Sequence, residues 1–429
     1  MEWIRNRKFS RTIIAALLLT MTAWLLPAGL MADKAEAATT LKNPRIVEDS
    51  SMDAEQKVTW DCVWFGSYPQ SEVVCETDTE RIGELTGGAY DNQYVTVSKA
   101  QWDKITGAKY NNYGDATVGG VKYKCLSKTD ANYATSDSSG YYKWGDDTVR
   151  YFRYEPIKWR VLNVNGTDAF LLADKALDDQ CHNNSNTSIT WETCTIRSWL
   201  NGYDSSSNSY GRDYTKFNFI NYAFTSSERS AIKTTEVVND NNISYGTAGG
   251  NDTSDKVFLL SENEVYNSNT AFSYGFVKSN STYDEARRCK SSTFAKAMGV
   301  WSNTDSPYEG NCWWWLRSPG GSTNCAILVE YGGYVHDYGY NVHIVNGAVR
   351  PALHLDLSSS DLYSYAGTVS SDPDSNQIDG TVSVPYISSY DKTDRSLSVK
   401  YRDGFFTAGN QKYDMDLSKV SLGLTMTTM

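Results

Sequence analysis

The sequence lacks the signatures of several large classes of function. It has no Cys-x-x-Cys pair, which argues against a structural zinc site. It has neither a glycine-rich phosphate-binding loop nor a dinucleotide-binding glycine fingerprint. Only four histidines are present, and local sequence places no Ser or Cys nucleophile beside His343 or His354. The residues therefore indicate no catalytic set, although a triad or a carboxylate pair can be assembled from distant positions.

The chain also has few charged residues for its length. Charged side chains make up 21% of the sequence and the formal net charge is −11. An acidic chain disfavours nucleic acid and anionic lipid as partners. What the chain has instead is aromatic: 30 Tyr and 13 Trp. A polar, weakly charged, aromatic-rich composition is typical of secreted β-rich proteins, because the aromatic rings supply a large core.

The first 37 residues have the pattern of a signal peptide. Basic residues precede an apolar run at 13–30, and Ala35-Glu36-Ala37 is a small-x-small cleavage site. We expect cleavage after Ala37, with an uncleaved membrane anchor as the alternative. The predicted localisation is secreted or cell surface, with membrane contact only during export.

The eight cysteines all follow the predicted signal peptide. Export makes disulfides feasible, and an even number permits complete pairing. Cys181 and Cys194 flank a short loop that leads into a helix, and Cys312 and Cys325 flank a Pro-Gly-Gly turn. We therefore expect these two disulfides, with buried free thiols as the alternative.

Local patterns predict several elements. Residues 157–173 alternate around Asn165-Gly166, the strongest short signal for a hairpin. Residues 190–200 have helical spacing and are followed by Asn-Gly. Ser/Thr-x-x-Glu capping boxes at 225–228 and 261–264 each predict the start of a short helix, and a further helix is predicted over 292–300.

The stretch 312–357 is the densest in aromatic and β-forming residues. It predicts strands at 313–317, 326–330, 342–345 and 348–357, joined by Gly-rich or Asn-Gly turns, with an irregular connection at 334–340. Pro351 lies inside the last of these. Since proline cannot donate to a ladder, we expect an edge position or a bulge there.

Composition divides the chain into a signal peptide (1–37) and four further segments. These are a flexible leader at 38–58, an α+β domain at 59–357 with a loop-rich insertion at about 80–150, a linker at 358–379, and a small all-β module at 380–429.

Four motifs carry a family resemblance: TWETCTIRSWLN, DKVFLLSENEV, WWLRSPGG and GAVRPALHL. In that order they resemble a domain of unknown function found in secreted and surface proteins of Gram-positive gut bacteria, over about residues 60–357. More remotely, Trp315, Arg317, Ser318, Gly347, Val349 and Arg350 are similar to the end of C-type-lectin-like folds, including the formylglycine-generating enzyme. The resemblance implies a C-type-lectin-like domain with twisted antiparallel sheets and short helices. The copper-binding cysteine pair of that enzyme has no matching position here.

Loops near the end of lectin-like domains bind ligands, and this analogy nominates a set of side chains. The set is Trp314, Arg317, Tyr331, Tyr334, His336, Tyr338, Tyr340, Asn341 and Arg350. For the tryptophan the alternative is core packing, and for the two arginines it is anchoring of backbone carbonyls. No metal or resident cofactor is predicted. Asp178-Asp179 and residues 238–242 offer oxygen ligands for calcium, with solvated turns as the alternative.

The sequence therefore predicts a secreted or cell-surface, non-catalytic module that binds glycan or protein ligands. Two alternatives stay open: a secreted enzyme, either a relative of the formylglycine-type oxidase or a hydrolase, and a structural domain of a surface assembly.

Overall fold

The computed structural model describes residues 41–86, 92–134, 139–266 and 268–372 with their side chains, and beyond them the backbone of four strands. The strands are β1 Arg45–Glu48, β2 Gln56–Cys75, β3 Tyr94–Val97, β4 Asp115–Val118, β5 Val121–Ser127, β6 Val149–Asn165, β7 Asp168–Ala173, β8 Asp178–Asp179, β9 Thr235–Val237, β10 Thr253–Asp255, β11 Val257–Phe258, β12 Trp314–Pro319, β13 Cys325–Val329, β14 Val335–Asn341, β15 Ala348–Val349, β16 Ala352–Asp356, β17 Ser364–Ser370, β18 Pro385–Tyr390, β19 Leu397–Tyr401, β20 Phe405–Ala408 and β21 Gln411–Asp414. The helices are α1 Thr79–Thr86, α2 Lys99–Thr106, α3 Thr195–Asn201, α4 Phe219–Ala223, α5 Ser226–Ala231, α6 Glu262–Val265, α7 Asn269–Ser273 and α8 Thr293–Met298.

A large sheet is built on the long strand β2. Its main path runs β1-β2-β6-β7-β16-β11, and β3, β5 and β17 attach to β2 or β6. All pairs are antiparallel except β2 with β3. The register of β2 against β6 shifts between Trp64 and Ser67, where Gly66 has a φ of +69°. A Cβ on Gly66 would lie 2.4 Å from the ring of Phe224, so the bulge needs glycine both for its conformation and for its space.

A second, five-stranded sheet has the order β14-β13-β12-β15-β8. The chain passes from one sheet to the other at Arg350-Pro351, because β15 pairs in the second sheet and β16 pairs with β7 in the first. The edge position or bulge expected at Pro351 is not found, because β15 lies between β12 and β8 and β16 lies between β7 and β11. The predicted continuous strand at 348–357 is instead two strands in different sheets, since proline cannot donate to a ladder.

One apolar core extends across both sheets. Among its largest fully buried side chains are Trp60, Trp159, Trp314 and Trp315. A small separate cluster of Val73, Ile105 and Tyr123 lies under α2. Short helices and mainly antiparallel strands make this an α+β fold.

Several local predictions are confirmed. The hairpin of β6 and β7 turns at Gly166, which has a φ of +60°. Helix α3 ends at Gly202 in the left-handed conformation, and α8 ends at Gly299. Both capping boxes are complete, at Thr225 with Glu228 and at Ser261 with Glu264.

Two assignments in the aromatic stretch are wrong. Residues 334–340, predicted as irregular, form most of β14, which pairs with β13. Residues 342–345, predicted as a strand, form a turn and loop. Val342 is buried there because the loop packs inward, with its N–H donating to the carbonyl of Asn324 at 3.0 Å.

The predicted leader, insertion and linker each contain strands of the large sheet. The leader at 38–58 includes β1 and the start of β2, and the insertion at 80–150 contributes β3 and β5. The predicted linker at 358–379 contains β17, which pairs with β2 and buries Ala366.

The predicted signal peptide lies outside the described residues. None of the described helices is long and apolar enough to span a lipid bilayer. Within the predicted C-terminal module the described backbone forms two hairpins, β18 with β19 and β20 with β21.

Candidate functional site

A groove lined by aromatic side chains lies beside the second sheet, with a volume of about 460 Å³. We call it the tyrosine groove. Its lining residues are Tyr141, Trp301, Trp313, Glu330, Tyr331, Tyr340, Ile344 and Asn346. Trp313 directly precedes β12, Glu330 and Tyr331 follow β13, and Tyr340 is on β14. The sheet therefore sets the spacing of most of these side chains.

The aromatic rings of the groove support one another edge to face. Trp301 lies 5.6 Å from Tyr331, and Trp313 lies 5.5 Å from Tyr340, both measured between ring centroids. The indole N–H of Trp301 donates to the carbonyl of Ser139 at 3.3 Å. Trp301, Tyr331 and Tyr340 are each partly exposed, so they present apolar faces that are held in position before any ligand arrives.

Glu330 is the ionisable group of the groove. It accepts a hydrogen bond from the Tyr340 hydroxyl at 3.0 Å, and Nδ1 of His336 lies 3.7 Å from its Oε1. Burial raises the pKa of Glu330 above its ordinary value, against the lowering effect of the Tyr340 hydrogen bond. Burial, with the charge of Glu330, raises the pKa of Tyr340 to about 12, so its hydroxyl keeps its proton.

Asn346 supplies the amide of the groove. Its Nδ2 donates to the Tyr141 hydroxyl at 2.7 Å. Its backbone has a φ of +82°, a conformation that asparagine tolerates better than most residues. Its Oδ1 is buried and has no hydrogen-bond partner in the described part of the chain. A buried acceptor of this kind costs free energy until a donor reaches it.

The predicted ligand residues separate into distinct places. Tyr331 and Tyr340 line the groove, and His336 lies next to it, with its ring 5.1 Å from that of Tyr340. Tyr334 lies one ring further out, 6.0 Å from His336. Tyr338 is 47% exposed but packs on Tyr245 at 5.4 Å, outside the groove.

Asn341 also lies outside the groove. Its Oδ1 accepts from Nδ2 of Asn324 at 3.3 Å, at the end of β14. It is exposed, and its amide is used to join two neighbouring strand ends rather than to line a concave surface.

Burial removes Trp314, Arg317 and Arg350 from the predicted ligand surface. Trp314 and Arg350 are fully buried, with the guanidinium 4.9 Å from the indole ring. Nε of Arg350 donates to the carbonyl of Ala173 at 2.8 Å. Arg350 thus links β7 to the point where the chain passes between the two sheets. This agrees with the alternative in which the arginines anchor backbone carbonyls.

Arg317 is 4% exposed and has a structural role of the same kind. It pairs with Glu264 at 2.5 Å and donates to the carbonyls of Leu259 and Val238 at 2.7 and 3.0 Å. Its planar head joins the N-terminal end of α6 to β12.

Sequence reasoning missed six lining residues: Tyr141, Trp301, Trp313, Glu330, Ile344 and Asn346. Trp313 and Glu330 are each next to a predicted ligand residue, so their position in the sequence could have indicated that they line the site. Tyr141 and Trp301 lie far away in the sequence, and nothing local marks them.

A second cavity has a volume of about 610 Å³. Its lining residues include Tyr68, Lys124, Asp178, Trp199 and Tyr222. Burial raises the pKa of Asp178 to about 6, against the lowering effect of the Tyr68 hydroxyl.

The Asp178-Asp179 pair does not form the solvated turn considered as an alternative. These residues are 3% and 0% exposed and form β8. Burial and the neighbouring Asp178 raise the pKa of Asp179 well above its ordinary value. Among the described residues, no cluster of three or more His, Cys, Asp or Glu side chains could hold a metal ion.

All eight cysteines are free thiols in this structure, so neither predicted disulfide is present. The thiol of Cys181 is directed at Asn184, and that of Cys194 at the carbonyl of Trp191 in its own helical turn. The thiol of Cys325 is directed at Asn341 across the sheet, whereas that of Cys312 is directed at the carbonyl of Cys289. The partners within each predicted pair face different surroundings.

Comparison with known proteins agrees with the first part of the predicted resemblance. No curated protein and no solved structure matches the chain. Residues 166–357, from the turn of the first hairpin to the end of the closing strand, are similar to the family described as Domain of unknown function (DUF6273).

Proposed function

We propose that this protein is a secreted or cell-surface, non-catalytic module that binds carbohydrate in the tyrosine groove. The observation that carries the proposal is the groove itself. Two tryptophans and three tyrosines surround one carboxylate and one amide in a concave site of about 460 Å³. Concave sites of a few hundred Å³, mostly apolar and with a few convergent polar groups, are the usual form of small-ligand sites.

Sugars have the complementary chemistry. The C–H face of a pyranose ring is apolar and fits against a partly exposed aromatic ring such as Trp301 or Tyr331. Its hydroxyls are donors and acceptors at fixed spacing, which suits the carboxylate of Glu330 and the amide of Asn346. A sugar hydroxyl would supply the donor that the buried Oδ1 of Asn346 requires.

The charge of the groove selects among sugars. Glu330 is the acidic lining residue, and no Lys or Arg is among the lining residues of the groove. An acidic sugar would bring a second negative charge next to a partly buried carboxylate, which is unfavourable. We therefore infer that neutral glycans are the ligands.

We further propose that the domain is C-type-lectin-like and extends from about residue 45, where β1 begins, to 372. Two features support this. Strand β17 near the end of the domain pairs with β2 at its beginning, which brings the two ends together. A smaller second sheet positions the groove residues on and next to β13 and β14. The export pattern of residues 1–37 supports an extracellular location.

Glycan binding to the chain without residues 1–37 tests the proposal. Neutral and acidic glycans are first compared on an array, and the best ligand is then titrated by calorimetry. We expect Trp301→Ala and Tyr331→Ala to weaken binding by about tenfold or more, equal to about 1.4 kcal/mol, since buried aromatic anchors dominate binding energy. Tyr210→Ala is the matched control, because Tyr210 is 52% exposed and is not a lining residue.

Thermal unfolding of each variant separates lost binding from lost folding. The proposal is contradicted by the absence of binding at millimolar glycan with the fold intact. It is equally contradicted if the two groove variants bind as tightly as the parent.

A further inference from the structure

Cys289 and Cys312 are directly opposite each other on two antiparallel segments. Lys290 and Asn311 form an antiparallel bridge, which sets the register of the flanking residues. The N–H of Cys312 donates to the carbonyl of Cys289 at 2.8 Å. Cα atoms of hydrogen-bonded antiparallel pairs are about 5.5 Å apart. Disulfides span Cα separations of about 4.4–6.8 Å, so this register places the two residues within the Cα range of a disulfide.

The two thiols lie in the same buried region. The thiol of Cys312 lies 3.4 Å from the carbonyl oxygen of Cys289, and the thiol of Cys289 is directed at the carbonyls of Lys290 and Asp174 at 3.4 and 3.9 Å. Both residues are buried, at 1% and 0% exposure. Burial raises the pKa of the Cys289 thiol, but the hydrogen bond from Cys312 and the charges of Arg350 and Arg160 outweigh it and lower that pKa. The pair thus combines a thiolate-prone sulfur with a thiol partner.

We propose that Cys289 and Cys312 form a disulfide bond in the exported protein. The Cys289 thiolate attacks one sulfur of an external disulfide and releases one thiolate of that disulfide. The Cys312 thiol then loses its proton to water and attacks the Cys289 sulfur, which releases the second external thiolate. The chain loses two electrons and two protons, and the external disulfide is reduced to two thiols. Because both sulfurs are buried in the folded domain, the exchange takes place during refolding, after residues 289–290 and 311–312 have paired and before the rest of the core covers them.

The bond would hold one wall of the tyrosine groove. The segment between the two cysteines includes α8 and Trp301, and it also carries Tyr308, whose ring is 5.5 Å from that of Tyr331. A covalent link at both ends restricts this segment in the unfolded chain. The inference rests on export and on the pairing of the two segments, and it holds whether or not the groove binds glycan.

Thiol counting tests the bond. The chain without residues 1–37 is reduced, refolded with oxidised glutathione, denatured and alkylated, and its mass is measured. We expect six of the eight cysteines to be alkylated in the parent. Cys289→Ser should give seven alkylated thiols, because Cys312 loses its partner. The control Cys181→Ser should give five, because it removes one free thiol and leaves the pair.

Peptide mapping identifies the partners. Trypsin cleaves after Arg288, Lys290, Lys296 and Arg317, so the proposed bond joins the dipeptide 289–290 to the peptide 297–317. Recovery of that linked pair supports the proposal. Eight alkylated thiols in the refolded parent would overturn it, as would a link from Cys312 to any other cysteine. Cys289→Ser should give no linked peptides. A native far-UV circular dichroism spectrum of this variant shows that the loss of the link is not due to misfolding.

Discussion

Replacing Asp178 with asparagine should stabilise the protein at neutral pH and have a much smaller effect in acid. Asp178 is 3% exposed and lines the second cavity. One oxygen of its carboxylate accepts the Tyr68 hydroxyl and the other accepts, at 2.7 Å, the N–H of Asp179. Asparagine keeps one of these acceptors and carries no charge, so the part of its effect that changes with pH reports the cost of the buried charge.

The magnitude follows from the pKa of Asp178, which burial raises from 3.8 to about 6. Each tenfold change in proton affinity is worth about 1.4 kcal/mol, so the buried charge costs about 3 kcal/mol. Because the folded pKa is raised, the folded state binds more protons than the unfolded chain between pH 3.8 and about 6. Stability is therefore lost as the pH rises through this window, and the full cost is present above it.

His182 changes the pH dependence of the stability in the opposite direction. Burial lowers its pKa from 6.5 to about 4. The unfolded chain binds more protons than the folded state in that interval, so this histidine makes the protein more stable as the pH rises. The two effects partly cancel in the parent. Removal of the Asp178 carboxylate should expose the contribution of His182 as a steeper rise in stability from pH 4 to pH 7.

Urea unfolding of Asp178→Asn and the parent at pH 4 and at pH 7.5 is the assay. We expect the free-energy difference between variant and parent to be larger at pH 7.5 than at pH 4 by about 2.5 kcal/mol, because most of the cost of the buried charge appears above pH 4. Asp146→Asn, at an exposed position, is the control and should show little change with pH. A difference for Asp178→Asn that is the same at both pH values would show that the buried Asp178 carboxylate carries no such cost.

Three further substitutions test the fold by urea unfolding. Trp314→Ala should cost about 3–5 kcal/mol, because it empties a fully buried site and leaves the carbonyl of Arg287 without its indole donor. Arg317→Met should cost about 3 kcal/mol, because it leaves the Glu264 carboxylate unpaired beside the core. Thr225→Ala should cost about 1 kcal/mol through loss of the helix cap. If any of the three substitutions left the free energy of unfolding unchanged, the contact that it removes would not stabilise the fold.

Elements whose cause is local could be predicted from the sequence. The Asn165-Gly166 turn, the two capping boxes and the glycine at the end of α8 each depend on residues within a few positions of one another. Turn and cap chemistry acts over that distance, so the sequence is sufficient.

Strand β14 could not be predicted in this way. Its sequence VHDYGYN does not alternate cleanly, and Gly339 has a φ of +75°. The strand exists because it pairs with β13, with a register shift that a local pattern does not contain. For the same reason Pro351 led us to expect an edge position or a bulge, whereas the chain changes from one sheet to the other there.

The candidate site shows the same division. Tyr331 and Tyr340 were found because aromatic residues are dense in one stretch, and that stretch forms two neighbouring strands. Tyr141 and Trp301 come from distant segments that only the folded chain brings together. Arg350 and Arg317 were nominated by side-chain chemistry, but residue type does not reveal burial, and both serve the core.

A crystal structure of the protein with its best neutral oligosaccharide would show whether the tyrosine groove binds sugar. We expect a sugar ring against Trp301 or Tyr331, with a hydroxyl bonded to Glu330. A sugar bound only in the second cavity or on another surface would rule out the tyrosine groove as the binding site.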